Sequence, residues 1–179
     1  MRTRFDYAQL PVSRWRNGGG VTREIISYPP GESRFAWRAS IATIEADGPF
    51  SPFPGVDRVI TLLHGAPVTL RGAHTAQRLL PHQPWAFPGE EAIEAQVSGR
   101  CEDFNIMTRR DCWRAQVAVT PHGVRSQHGI AYVLTGEWQC DNDAPLQAQH
   151  GVWWLEEETA LTPLSAGASL LWVTLSRVP

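Results

Sequence analysis

The sequence predicts an all-β chain built as two small β-barrel or jelly-roll lobes. Three observations predict it. The 179 residues include 14 Pro and 15 Gly, so turn residues interrupt the chain about every ten positions and leave little room for an ordinary helix. Between the interruptions lie short apolar or alternating segments of the length that sandwiches and barrels use. A faint internal repeat recurs after about 70 residues, longer than a solenoid unit and suited to two copies of one small β module.

Candidate strands cover 22–27, 35–44, 56–63, 66–71, 92–97, 101–108, 113–119, 130–136, 151–155 and 169–175. Between the second and third, Pro49, Pro52 and Pro54 with Phe50 and Phe53 cannot sustain a ladder and read as a packed loop. In the repeat, Leu62-Leu63 before Gly65 matches Tyr132-Val133-Leu134 before Gly136. Trp85-Ala86-Phe87 then matches Trp153-Trp154-Leu155, and Ser98-Gly99 matches Ala166-Gly167. The expected lobes are 1–110, holding the glycine-rich loop and a candidate pocket, and 111–179, a degenerate copy, with strands exchangeable between them.

Composition narrows the function. A formal net charge of -2 offers no attraction to a phosphate backbone or an anionic bilayer, so neither nucleic acid nor membrane is an expected partner. No apolar run reaches the length of a signal-peptide core or a membrane span, and a cytoplasmic protein is expected. Cys101, Cys112 and Cys140 are widely spaced and odd in number, which suggests free thiols. The six histidines include no HxH or HExxH pair, so no metal site is expected. Tryptophans 37, 85, 153, 154 and 172 fall in apolar runs and read as core. A homodimer through a sheet edge is compatible with the apolar aromatic strands.

Chemistry concentrates between residues 15 and 60. Asn17-Gly18-Gly19-Gly20 is either a tight turn into a strand or a loop whose bare amides line a site. It lacks the spacing of a phosphate-binding loop. Residues two apart share a strand face, which pairs Thr22 with Glu24 and Arg38 with Ser40, and Arg58 adds a third polar column. If these columns face a lumen, Glu24, Arg38 and Arg58 form a cluster with surplus positive charge, suited to gripping a carboxylate through guanidinium hydrogen bonds. If they face solvent, they are surface ion pairs of little consequence.

The run Trp15-Arg16-Asn17-Gly18-Gly19-Gly20-Val21-Thr22-Arg23-Glu24 resembles the signature of the HutD/Ves family. So do Phe35-Ala36-Trp37-Arg38-Ala39-Ser40-Ile41-Ala42, Asp47-Gly48-Pro49-Phe50-Ser51 with Phe53-Pro54-Gly55-Val56-Asp57-Arg58, and Asp103-Phe104-Asn105-Ile106-Met107 with Arg109-Arg110. The resemblance implies a metal-free bicupin. Arg58 stands seven positions before Gly65, where a metal-binding cupin carries a carboxylate ligand, and Ala92 or Ile93 stands where a ligand histidine belongs. Such an exchange repels a metal and attracts an anion.

The family further implies a regulator or sensor of histidine utilisation that binds an acidic metabolite of the formylglutamate or urocanate class, or a stress-linked Ves-type protein. The expected ligand-binding residues are Asn17, Thr22, Glu24, Arg38, Ser40 and Arg58, with no catalytic residue, metal or cofactor. The competing expectation is a metal-independent isomerase or hydrolase using Glu24 or His82 as its base.

Overall fold

The computed structural model describes all of residues 1–179. The first half contains the strands β1 (Arg2–Asp6), β2 (Val12–Arg14), β3 (Gly20–Tyr28), β4 (Trp37–Ile44), β5 (Gly48–Pro49), β6 (Val56–Gly65), β7 (Val68–Arg71), β8 (Ala76–Leu79), β9 (Trp85–Pro88) and β10 (Glu94–Val97). There follow β11 (Cys101–Arg109), β12 (Trp113–Thr120), β13 (Val124–Ser126), β14 (Gly129–Thr135), β15 (Trp138–Cys140), β16 (His150–Trp154), β17 (Thr159–Pro163) and β18 (Ser169–Arg177). The single helical element is a 3-10 turn at Tyr7–Gln9, and no helix is long and apolar enough to cross a membrane.

Two compact units result. One comprises Pro11–Arg114 with Arg177–Pro179, the other Met1–Leu10 with Ala115–Ser176. Relative to a division at residue 110, each unit has therefore taken a terminal segment from the other half of the chain. In the second unit, β1 pairs antiparallel with β16 in a five-stranded sheet ordered β1-β16-β14-β18-β12, beside a three-stranded sheet ordered β13-β17-β15. Its core is tightly apolar, with Trp138 and Trp154 packed among Val133, Val152, Leu161 and Leu170.

The unit containing Pro11–Arg114 pairs a six-stranded sheet, β2-β3-β4-β11-β6-β9, with a four-stranded one, β5-β10-β7-β8. Both units are thus two-sheet jelly rolls of the cupin kind, and the sheets do not close into barrels. Side chains two apart on β4, β6 and β11 share the inner face of the larger sheet. At one end of that face Ile44, Leu62 and Cys101 pack with Val68, Leu70 and Leu79 of the smaller sheet and form the core. The other end of the same face is covered by loop instead, and there the side chains turn polar.

The covering loop is the proline-rich segment expected between β4 and β6. After the short β5 it is fixed by backbone bonds, Phe50 N–H to Ile93 O at 2.8 Å and Phe53 N–H to Gly89 O at 2.7 Å. Gly89 is required there, because a Cβ would lie 2.6 Å from the Phe53 carbonyl oxygen.

The expected strands are present with shifts of a residue or two. Strands β1, β2, β5, β8, β13, β15 and β17 lie outside those expectations, and β5 takes Pro49, expected in the loop, into a two-residue ladder with β10. These strands are short, and half or more of the residues in β1, β2 and β8 are charged or polar, so local propensity marks them weakly and they form by pairing with strands distant in sequence or across a turn.

Candidate functional site

Antiparallel register converts the polar columns into rows. Met107 of β11 lies opposite Arg38 of β4 on one side and opposite Arg58 of β6 on the other. One pleat along, Asn105 lies between Ser40 and Ile60, and a further pleat along Asp103 lies between Ala42 and Leu62. Thr22 of β3 is opposite Ala42, and Glu24 is opposite Ser40 just before a bulge. This patch, without Glu24 and Leu62, is the floor of a cavity of about 890 Å³, whose rim is formed by Ser13–Asn17 and by residues 49–53.

Five of the six residues expected from sequence line that cavity: Asn17, Thr22, Arg38, Ser40 and Arg58. Glu24 does not line it. Its carboxylate instead accepts a 2.9 Å hydrogen bond from Arg38 Nε and sets the direction of that guanidinium from outside. The hydroxyl of Thr22 accepts a 2.8 Å bond from Trp15 Nε1, which ties the rim to the floor.

The glycine run acts as a turn. Gly18 has φ of +73°, its N–H bonds to Trp15 O, and Gly19 N–H bonds to Asn17 Oδ1 at 2.8 Å. These amides are satisfied within the loop, and none of the three glycines borders the cavity.

Arg58 is buried, with 7% of its surface exposed. Its guanidinium carbon lies 5.0 Å from the ring of Phe87, 5.3 Å from Phe50 and 5.5 Å from Phe53. An aromatic cage of this kind holds a cation by its ring faces and leaves most of the N–H fork unused. One long bond runs from Nη1 to Ser51 O at 3.4 Å, and Nε has no partner. Burial lowers the pKa of Arg58 to about 10; Asp103 opposes the shift and Arg38 adds to it. The group stays cationic at neutral pH.

Asp103 is the residue that sequence reasoning missed. It is 1% exposed, borders the cavity, and neither carboxyl oxygen has a hydrogen-bond partner. Burial raises its pKa to about 7, with Arg58 pulling the other way and Glu102 reinforcing the rise. Asn105 Oδ1, on the same face, is likewise buried without a partner. Cys101, next along that face, is held as a thiol: burial first, then Asp103 and Glu102, push it up to about 12.

On the opposite face of the sheet Glu102 accepts from Thr43 Oγ1 at 2.9 Å and is 2.6 Å from His64 Nε2. This second cluster lies outside the cavity, as does the exposed His82. No three His, Cys, Asp or Glu side chains are grouped so as to hold a metal ion.

The cavity therefore presents cations at two depths. Arg14 and Arg16 stand on the rim, Arg38 and Arg58 on the floor, and the one carboxyl lining it is Asp103. Chemically it can grip an anion at Arg58 and Arg38, offer hydrogen bonds from Ser40 and Asn105, and exchange a proton at Asp103.

Comparison with known proteins agrees with the sequence motifs. The chain is 47% identical over 176 residues to Protein Ves of Cronobacter sakazakii, covering 93% of this chain and 94% of that one. It is 42% identical over 184 residues to Protein Ves of Citrobacter koseri, covering 98% and 94%. Among solved structures, HutD from Pseudomonas fluorescens SBW25 superposes with a TM-score of 0.86 at 25% identity over the whole of both chains. The sequence pattern of the HutD family matches residues 7–172, a span that takes in every strand of the cavity floor, and the chain belongs to that family.

Proposed function

We propose that this protein is a non-catalytic binder of a small acidic metabolite, with the carboxylate held by Arg58 and Arg38. The observation that carries the proposal is Arg58. A buried guanidinium is costly unless a charge or a full set of acceptors meets it, and here no carboxylate lies within ion-pair distance and one long backbone bond is made. An acid entering the cavity supplies the missing acceptors in the forked geometry that arginine prefers. Glu24 keeps Arg38 turned, and Thr22, Ser40 and Asn17 add neutral polar contacts or shape the rim.

Formylglutamate and urocanate are the first acids to try, since HutD is the name of a structural relative and the family resemblance points to histidine utilisation. A cytoplasmic sensing or sequestering role follows from that reading. The higher identity is to proteins named Ves, which makes a stress-linked role the variant within the same binding function.

Isothermal titration tests it. Either acid binds the native protein, and Arg58→Ala weakens binding at least tenfold. Absence of binding to both acids, or unchanged affinity in Arg58→Ala, overturns it.

One observation favours a second reading. A fully buried carboxyl poised near neutrality inside a cavity is suited to general acid-base work, so Asp103, rather than Glu24 or His82, is the base of a metal-independent isomerase or hydrolase if turnover occurs. Following either acid by NMR separates the two, because a binder leaves the ligand chemically unchanged.

A further inference from the structure

The cavity floor is polarised along β11. At the Met107 row it presents guanidinium groups, Arg38 and Arg58, on the flanking strands. Toward the core it presents acceptors that nothing in the protein satisfies: both oxygens of Asp103, and Oδ1 of Asn105. Residues two apart on a strand are separated by about 7 Å, which puts Asn105 one such step and Asp103 two steps from the Met107 row. The Arg58 guanidinium reaches back along the floor far enough for it and Asp103 to act on each other's charge, so one small molecule spans the two groups. The Asn105 amide can be turned to offer its N–H2 group instead. Ionised Asp103 has no such option, and in either orientation it is an acceptor.

A ligand that places its carboxylate on Arg58 therefore meets Asp103 with its other end. A second carboxylate there confronts a buried anion of the same sign. A methyl group or an aromatic C–H leaves the acceptor unsatisfied. An N–H or O–H group satisfies it with a charge-assisted bond.

We infer that Asp103 is a specificity-determining residue of this cavity, selecting acids that carry an N–H or O–H donor opposite their carboxylate over acids that lack one. The inference rests on the acid-binding reading above and names the ligand class within it: imidazole acids, N-acyl amino acids and hydroxy acids in place of plain mono- or dicarboxylates. Raising the Asp103 pKa to about 7 does not weaken the selection in mildly alkaline solution, where the carboxylate is the main form.

The test compares trans-urocanate with trans-cinnamate at pH 8 by isothermal titration. The two share an acrylate and a planar ring, and urocanate alone has a ring N–H. Native protein binds urocanate about tenfold or more tightly than cinnamate, the range that an unmade buried hydrogen bond gives. Asp103→Leu brings the ratio close to one while cinnamate keeps its affinity. Replacing a buried, unpartnered charge by an apolar side chain of similar size does not of itself unfold a protein; Asp103→Asn serves if that variant fails to fold, and its ratio falls severalfold.

Equal affinities in native protein, or an unaltered ratio in both variants, overturn the inference and leave acid binding standing. Binding of neither acid overturns acid binding and this inference together.

Discussion

Arg58 and Asp103 border one cavity, each buried and each shifting the other's proton affinity, yet no hydrogen bond or ion pair joins them. Each is opposed by its own burial and supported by the other's charge. A pair held apart in this way responds to whatever enters between its members.

Binding of an acid that has no donor for Asp103, such as cinnamate, is expected to take up protons. The positive charge of Arg58 holds the Asp103 pKa below the value that burial alone would impose. A bound carboxylate cancels that charge, so the pKa rises and Asp103 gains a fraction of a proton at pH 7.5. Titrations in buffers of different ionisation enthalpy read the uptake as a slope. The slope is positive in native protein and vanishes in Asp103→Leu.

Stability is expected to decline as pH rises through neutrality. The pKa of Asp103 is raised from an ordinary aspartate value to about 7, so the native state binds its proton more tightly than the unfolded chain does. Its contribution is fully favourable below about pH 4 and is lost progressively as pH climbs to about 7. Melting temperature measured across that window shows the decline, and Asp103→Asn flattens it.

Arg58→Lys is expected to fail to restore acid binding. A lysine keeps the charge but lacks the planar fork, and it cannot stack within the cage of Phe50, Phe53 and Phe87 as a guanidinium does. Affinity for urocanate in this variant stays about tenfold or more below native, as measured by isothermal titration.

Gly89→Ala is expected to destabilise the unit by about 2 kcal/mol or more, the range of a steric conflict with buried backbone. The added Cβ displaces the Phe53 carbonyl and with it the loop that roofs Arg58. Urea denaturation reads the loss of stability. Acid affinity falls in parallel, although Gly89 does not line the cavity.

Much of the site was legible from alternation alone. Arg38 and Ser40 had to share a face, Thr22 had to face with Glu24, and strand pairing then carried Arg58 to the same side. Glu24 stands outside the cavity, bonded to Arg38, beside a bulge that has no marker in composition. Asp103 and Asn105, although part of a family motif, were not named among the site residues for a different reason. Both faces of β11 are buried, so Phe104 and Ile106 made the whole segment read as apolar core, and the polar alternation acquires meaning only once the register places it between β4 and β6. The glycine run was ambiguous in sequence because an Asx turn and an amide-lined site use the same residues.

The pairing of β1 with β16 has a consequence for synthesis. Residues 2–6 leave the ribosome well before their partner at 150–154, an interval on the order of ten seconds or more at ordinary elongation rates. Throughout it the leading strand has no ladder to join. The charges at Arg2, Arg4 and Asp6 keep that waiting edge from recruiting another nascent chain, so a segment that looks dispensable in the finished fold also guards the unfinished one.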